Sequence, residues 1–77
     1  MLTYKAAYRF VDGVVHGEVL DFPGTITSAA DLDEARRLLA SALVDMAETN
    51  LALGEPLPSP DPTVADPGAD IEEPIHL

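Results

Sequence analysis

Hydrophobic and polar positions alternate from Leu2 to Phe10: Leu2, Tyr4, Ala6, Tyr8 and Phe10 share one side, and Thr3, Lys5, Ala7 and Arg9 share the other. A period of two is that of a half-buried strand, and the Tyr/Phe side is its expected core face. Asp12-Gly13 follows between Val11 and Val14. Asp-Gly between two strand-like runs predicts a tight hairpin, because both residues tolerate positive φ. The return strand is expected over Val14 to Leu20. Phe22-Pro23-Gly24 then predicts a turn, in which proline presets φ and glycine accepts the positive φ of a type II geometry. A short third strand, Thr25-Ile26-Thr27, completes an antiparallel meander.

The period then becomes helical. Leu32, Ala35, Leu39, Ala42, Leu43, Met46 and Leu53 form one stripe with Leu38 beside it, while Glu34, Arg37, Ser41, Asp45 and Glu48 lie opposite. Asp31 is the predicted N-cap, accepting from the amide of residue 34, with Glu34 reaching back to the Asp31 amide as in a capping box. Gly54 is placed to end the helix in the left-handed region, and Pro56 bars continuation. A second apolar flank, Ala40, Val44, Ala47 and Leu51, is wider than one sheet contact needs. It is the candidate oligomer interface, and its plainer reading is a partly exposed edge of small residues.

Six of the seven prolines lie beyond Gly54, and no basic residue follows Arg37. Residues 55–69 are expected to be an extended, polyproline-like connector that spans rather than folds. Residues 70–77 regain strand character through Ile71, Ile75 and Leu77; Glu73 faces the same way, and Pro74 assigns the strand to a sheet edge. The expected class is therefore α+β: a three-stranded antiparallel meander, one helix packed on the sheet and a final strand (βββαβ). The expected organisation is a single domain over 1–77, with meander and helix in 1–54, the connector in 55–69 and the last strand in 70–77.

Composition and charge narrow the function. A chain of 77 residues buries little surface, so help from a second copy or a partner is expected. The absence of cysteine excludes disulfides and thiolate metal sites. No apolar run approaches a membrane span and the N-terminus lacks signal-peptide character, which gives a cytoplasmic expectation. Four basic residues against 14 acidic ones leave a formal charge of −10. Such a chain is repelled by phosphate backbones, which argues against direct nucleic-acid binding. Its acidity either keeps a small protein dissolved or favours a basic partner.

Reactive chemistry is sparse. His16 and His76 are the only histidines and lack metal-ligand spacing, and Ser28, Ser41 and Ser59 have no nucleophile-elbow context. No glycine-rich phosphate loop is present. Asp31, Asp33 and Glu34 could hold a divalent cation, but a capped helix start accounts for them with fewer assumptions. No catalytic, metal or cofactor-binding residue is assigned, and the chain is expected not to be an enzyme.

Four short stretches in order, Asp12-Gly13, Leu20-Asp21-Phe22-Pro23-Gly24, Leu32-Asp33-Glu34-Ala35 and Gly54-Glu55-Pro56-Leu57-Pro58, resemble the HicB-like antitoxins over most of the chain. Here Asp12, Gly13, Pro23, Gly24, Asp31, Glu34 and Gly54 carry the structural motif, while Ala29 and Asp31 stand where many members have Gly and Thr. The resemblance implies a partial RNase H-like fold whose last strand joins the sheet. It also implies an antitoxin that occludes a small basic HicA-type ribonuclease, a toxin that cleaves messenger RNA with a histidine. The chain ends at Leu77, so a DNA-binding domain and promoter autoregulation are not expected.

Charge alone nominates Glu18, Asp21, Asp70, Glu72 and Glu73 as partner-binding residues. Asp21 also has a plainer role in stabilising its turn. The alternatives are a stand-alone homo-oligomeric scaffold without a toxin, and an RNase H-like nuclease, for which only Glu18 and Asp21 lie near the required strand ends.

Overall fold

The computed structural model describes residues 1–77. Strands β1 (Thr3–Val11), β2 (Val14–Val19) and β3 (Ile26–Ala29) precede helix α1 (Leu32–Ala52) and strand β4 (Ile71–His76). All four strands form one antiparallel sheet in the order β3-β2-β1-β4. The βββαβ order and α+β class are those expected from the sequence.

Local chemistry accounts for each junction. Asp12 and Gly13 have φ of 51° and 77°, the double positive φ that a two-residue hairpin demands. Asp31 caps α1, its Oδ1 accepting from the Glu34 amide at 2.8 Å. The reciprocal half of the capping box does not form, because the Glu34 carboxylate turns toward Arg37 at 3.9 Å instead. At the other end Gly54 has φ 73°, its amide donates to the Leu51 carbonyl, and the Glu55 amide donates to the Asn50 carbonyl. This pair of bonds is a Schellman closure, which satisfies carbonyls that a helix end would leave bare.

Helix α1 lies on one face of the sheet. Ala35, Leu39, Leu43 and Ala47 are buried against Tyr4, Ala6, Tyr8, Val15, Val19 and Phe22. The Tyr4 and Phe22 rings meet edge to face at 5.4 Å. Gly17 lies under Tyr8: a Cβ there would stand 3.1 Å from Tyr8 Cε1 and 3.1 Å from Thr27 Cγ2.

Four expectations require correction. Phe10 is 50% exposed and not in the core: β4 pairs with β1 only as far as Tyr8, so Phe10 has no β4 neighbour on that edge. Leu53 is 68% exposed, since it follows the last helical residue and leaves the helical register. Ala47 belongs to the core, at 5% exposure, and not to an outer flank. The third strand starts one residue later and extends to Ala29, where Val15 pairs with it.

Two substitutions follow from this packing. Thr25 is 1% exposed and its hydroxyl has no hydrogen-bond partner. Thr25→Val removes that unsatisfied group and is expected to raise unfolding free energy by about 1 kcal/mol in urea titrations. Gly17→Ala pushes a methyl against a tyrosine ring that is itself fully buried, and is expected to lower stability by about 1–3 kcal/mol in the same assay.

Candidate acidic binding surface

Every basic side chain of this protein has a partner within the chain, the weakest being Arg37, which is 71% exposed and makes no hydrogen bond. Arg9 forms a forked pair with Asp66, at 2.6 Å from Nη2 to Oδ1 and 3.1 Å from Nε to Oδ2. Arg36 reaches from the helix to Glu73 on β4, at 2.8 Å and 3.0 Å, and stands 3.8 Å from Asp33. Arg37 faces Glu34, and the Lys5 ammonium donates to the Val64 carbonyl at 2.8 Å. Asp12, Glu18, Asp45, Glu48 and Glu55 are exposed, and none enters an ion pair. The charges left for an incoming molecule are therefore carboxylates.

Glu73 alters the reading of the last strand. It points to the helix side of the sheet, where a bare carboxylate would be costly, and the Arg36 fork neutralises it. Tyr8 lies close to this pair. Burial, and then the Glu73 charge, raise its phenol pKa above the usual value of 10.0, while Arg36 pulls the other way.

The connector does more than span. It leaves the helix at Gly54, accepts a hydrogen bond from the Tyr4 hydroxyl at the Pro58 carbonyl (2.8 Å), and then crosses the sheet face opposite the helix. Asp21, only 9% exposed, fastens it: Oδ1 accepts from the Lys5 amide at 2.9 Å, and Oδ2 accepts from the Asp61 amide at 3.0 Å. Ala7, on the face away from the helix, is buried as a result. Prolines have no N–H, so this segment can lie on the sheet with few donors left to satisfy.

Two Asp-Pro steps supply local turns. Asp61 Oδ1 accepts from the amide and hydroxyl of Thr63, and Asp66 Oδ1 accepts from the Gly68 amide at 3.0 Å. Both are Asx-type turns, and the repeated Asp-Pro-x pattern at 61–63 and 66–68 is the sequence signal that marks them.

Of the charge-nominated residues, Asp21, Glu72 and Glu73 border one groove, and Glu18 and Asp70 lie outside it. Glu18 is exposed on the sheet face away from the helix, and Glu72 is exposed on the same face of β4. Asp70 accepts from the Phe10 amide at 2.7 Å, prolonging the β1–β4 ladder past the end of β4. Asp21 and Glu73 are engaged as described. On the helix Ala40, Val44 and Leu51 are exposed, whereas Ala47 is not. Glu18 and Asp21 do not converge, and no cluster of three or more His, Asp or Glu side chains is placed to hold a metal ion.

A groove of about 540 Å³ opens between the connector and β4. Its walls include Pro60 and Pro62 on one side, Pro74 on the other, and Tyr4 and Lys5 of β1.

The same architecture occurs in the crystal structure of the N-terminal domain of Burkholderia pseudomallei antitoxin HicB. The match has a TM-score of 0.83 and 27% identity, covering 99% of this chain and 98% of that one. This chain is similar to that HicB domain in fold and extent. The crystal structure of the Burkholderia pseudomallei antitoxin HicB matches over 100% of this chain, with a TM-score of 0.81 and 26% identity, and this chain spans 64% of that longer one. No family model matches the sequence, and no curated protein does. No helix of this chain is long and apolar enough to cross a membrane.

Two measurements probe the connector's attachment. Asp21→Ala strands the Lys5 and Asp61 amides, and is expected to destabilise the fold by about 2–4 kcal/mol in chemical denaturation. The second is acid titration. The Arg9 hydrogen bond, aided by the Gly68 amide against partial burial, holds the Asp66 carboxyl below the usual 3.8; Thr63 does the same for Asp61. Groups with a depressed folded pKa contribute their full stabilisation above the unfolded value and lose it as pH falls through the lower folded one. The Thr63 and Gly68 amide resonances are thus expected to move below pH 3.8, ahead of the β2–β3 amides.

Proposed function

We propose that this chain is an antitoxin that binds a small basic ribonuclease of the HicA kind in the cytoplasm and neutralises it by occlusion. The observation that carries this reading is a formal charge of −10 in a chain whose Lys5, Arg9 and Arg36 are held by internal hydrogen bonds and whose Arg37 stands beside Glu34. A surface whose free charges are carboxylates competes with RNA phosphates for a positive surface and needs no reactive group to do so. The likeness to the HicB N-terminal domain over nearly the whole of both chains supports it. Residues 1–77 act as one domain, with Glu18 and Glu72 among the contacts on the face away from the helix.

The test is RNA cleavage by a HicA-type ribonuclease in the presence of this protein. Cleavage is expected to fall to background near equimolar ratio, and the apparent affinity to weaken at least tenfold when salt is raised from about 50 to 500 mM, because the attraction is screened. Undiminished cleavage at molar excess overturns the proposal.

Exposed Val44 and Leu51 favour a second reading, a homo-oligomeric scaffold joined along α1. In that case sedimentation gives a multiple of 8.2 kDa for the isolated chain, and the V44E/L51E double variant returns it to the monomer mass.

A further inference from the structure

We infer that the groove between the connector and β4 is a receptor for an arginine side chain of a basic protein partner. The partner's basic character rests on the antitoxin reading; the groove's preference for a guanidinium rests on its own walls. The carboxylates of Asp21, Asp61 and Glu72 border it against a single ammonium, that of Lys5, while Glu73, also in its wall, turns its carboxylate to Arg36.

The hydrogen-bonding capacity of the groove is one-sided. Most of its side-chain donors are engaged: the Tyr4 hydroxyl donates to the Pro58 carbonyl, the Thr3 hydroxyl pairs with His76 Nδ1 at 2.9 Å, and the Lys5 ammonium spends one of its three N–H groups on the Val64 carbonyl. The Lys5 and Asp61 amides both donate to Asp21. Pro60, Pro62 and Pro74 bring carbonyls and ring carbons to the walls but no N–H. Free acceptors remain. Asp61 uses Oδ1 for Thr63 and leaves Oδ2 open, and Glu72 makes only a long contact of 3.4 Å through Oε1 to the Asp66 amide.

A lining whose free carboxylate oxygens come from Asp61 and Glu72, against one partly engaged ammonium, favours a cationic ligand that donates and does not accept. Arginine meets that condition, with five N–H groups, no acceptor and a flat, weakly hydrated face suited to proline rings. A lysine ammonium also donates, but it is more strongly hydrated and lacks the planar face. An anion would meet the Lys5 ammonium only beside the carboxylates of Asp61 and Glu72, which repel it. At about 540 Å³ the groove holds the side chain together with part of its flanking peptide.

The experiment is a ¹⁵N NMR titration of the full chain at low salt with N-acetyl-arginine-N-methylamide, alongside the corresponding lysine and citrulline compounds and inorganic phosphate. Saturable shifts are expected at Lys5, Asp61, Thr63 and Glu72 with the arginine compound. A weaker response is expected with lysine, and none with citrulline or phosphate. D61N/E72Q, in which residue 61 keeps an acceptor for Thr63, is expected to weaken arginine binding on the order of tenfold. D45N/E48Q on the helix is expected to leave it unchanged.

Equal shifts along the helix near Asp45 and Glu48, or a citrulline response matching arginine's, overturn the inference. Ribonuclease inhibition is a separate readout. Inhibition that survives D61N/E72Q at full potency sinks the groove and spares the antitoxin reading, whereas a focused arginine response without inhibition does the reverse.

Discussion

The carboxylate of Asp21 accepts two backbone amides from distant parts of the chain, Lys5 on β1, 16 residues before it, and Asp61 in the connector, 40 residues after it. This double acceptor is the constraint on which the outer half of the molecule depends. A four-stranded sheet has two faces, and one helix can cover only one of them. The second face is closed over Ala7 because the connector is drawn onto it by Asp21, and then held by Lys5 and Arg9. Hydrogen bonds to an ionised acceptor are among the stronger ones in proteins, and burial of Asp21 makes leaving either amide unpaired expensive.

The same constraint shapes the charge of the surface. Lys5 and Arg9 project from the face that the connector crosses, and both are satisfied by it, through Val64 and Asp66. Arg36 is satisfied on the opposite face by Glu73, which β4 carries there only because the connector delivers that strand to the edge beside β1. Three of the four cations, Lys5, Arg9 and Arg36, thus fasten one element to another. Its excess of carboxylates is left outward, and an acidic exterior arises from internal fastening as much as from composition.

Proline content and binding chemistry meet in the connector. Removing N–H groups lets the segment lie across a sheet face without strand pairing, and it also strips donors from the groove beside β4. The chemistry that makes the connector tolerable there is the chemistry that biases the groove toward a donor-only ligand.

Periodicity and turn residues by themselves determined most of this fold. Alternation in 2–10, Asp12-Gly13, the Phe22-Pro23-Gly24 turn, the Asp31 cap and the Gly54 stop specify strands, hairpin and helix because each acts over a few residues through backbone geometry. Pro74 likewise marked β4 as an edge strand. Tertiary structure decided what depends on long-range placement. Phe10 and Leu53 belong to apolar patterns but lie beyond the reach of the core, while Ala47 lies within it. Asp21 reads in sequence as a turn stabiliser or partner contact and Glu73 as a partner contact, whereas they hold Asp61 and Arg36, 40 and 37 residues away. Local pattern carries no information about which distant amide or guanidinium folds back onto a carboxylate, so the fastening of the connector and the groove it creates emerge only once the sheet has closed.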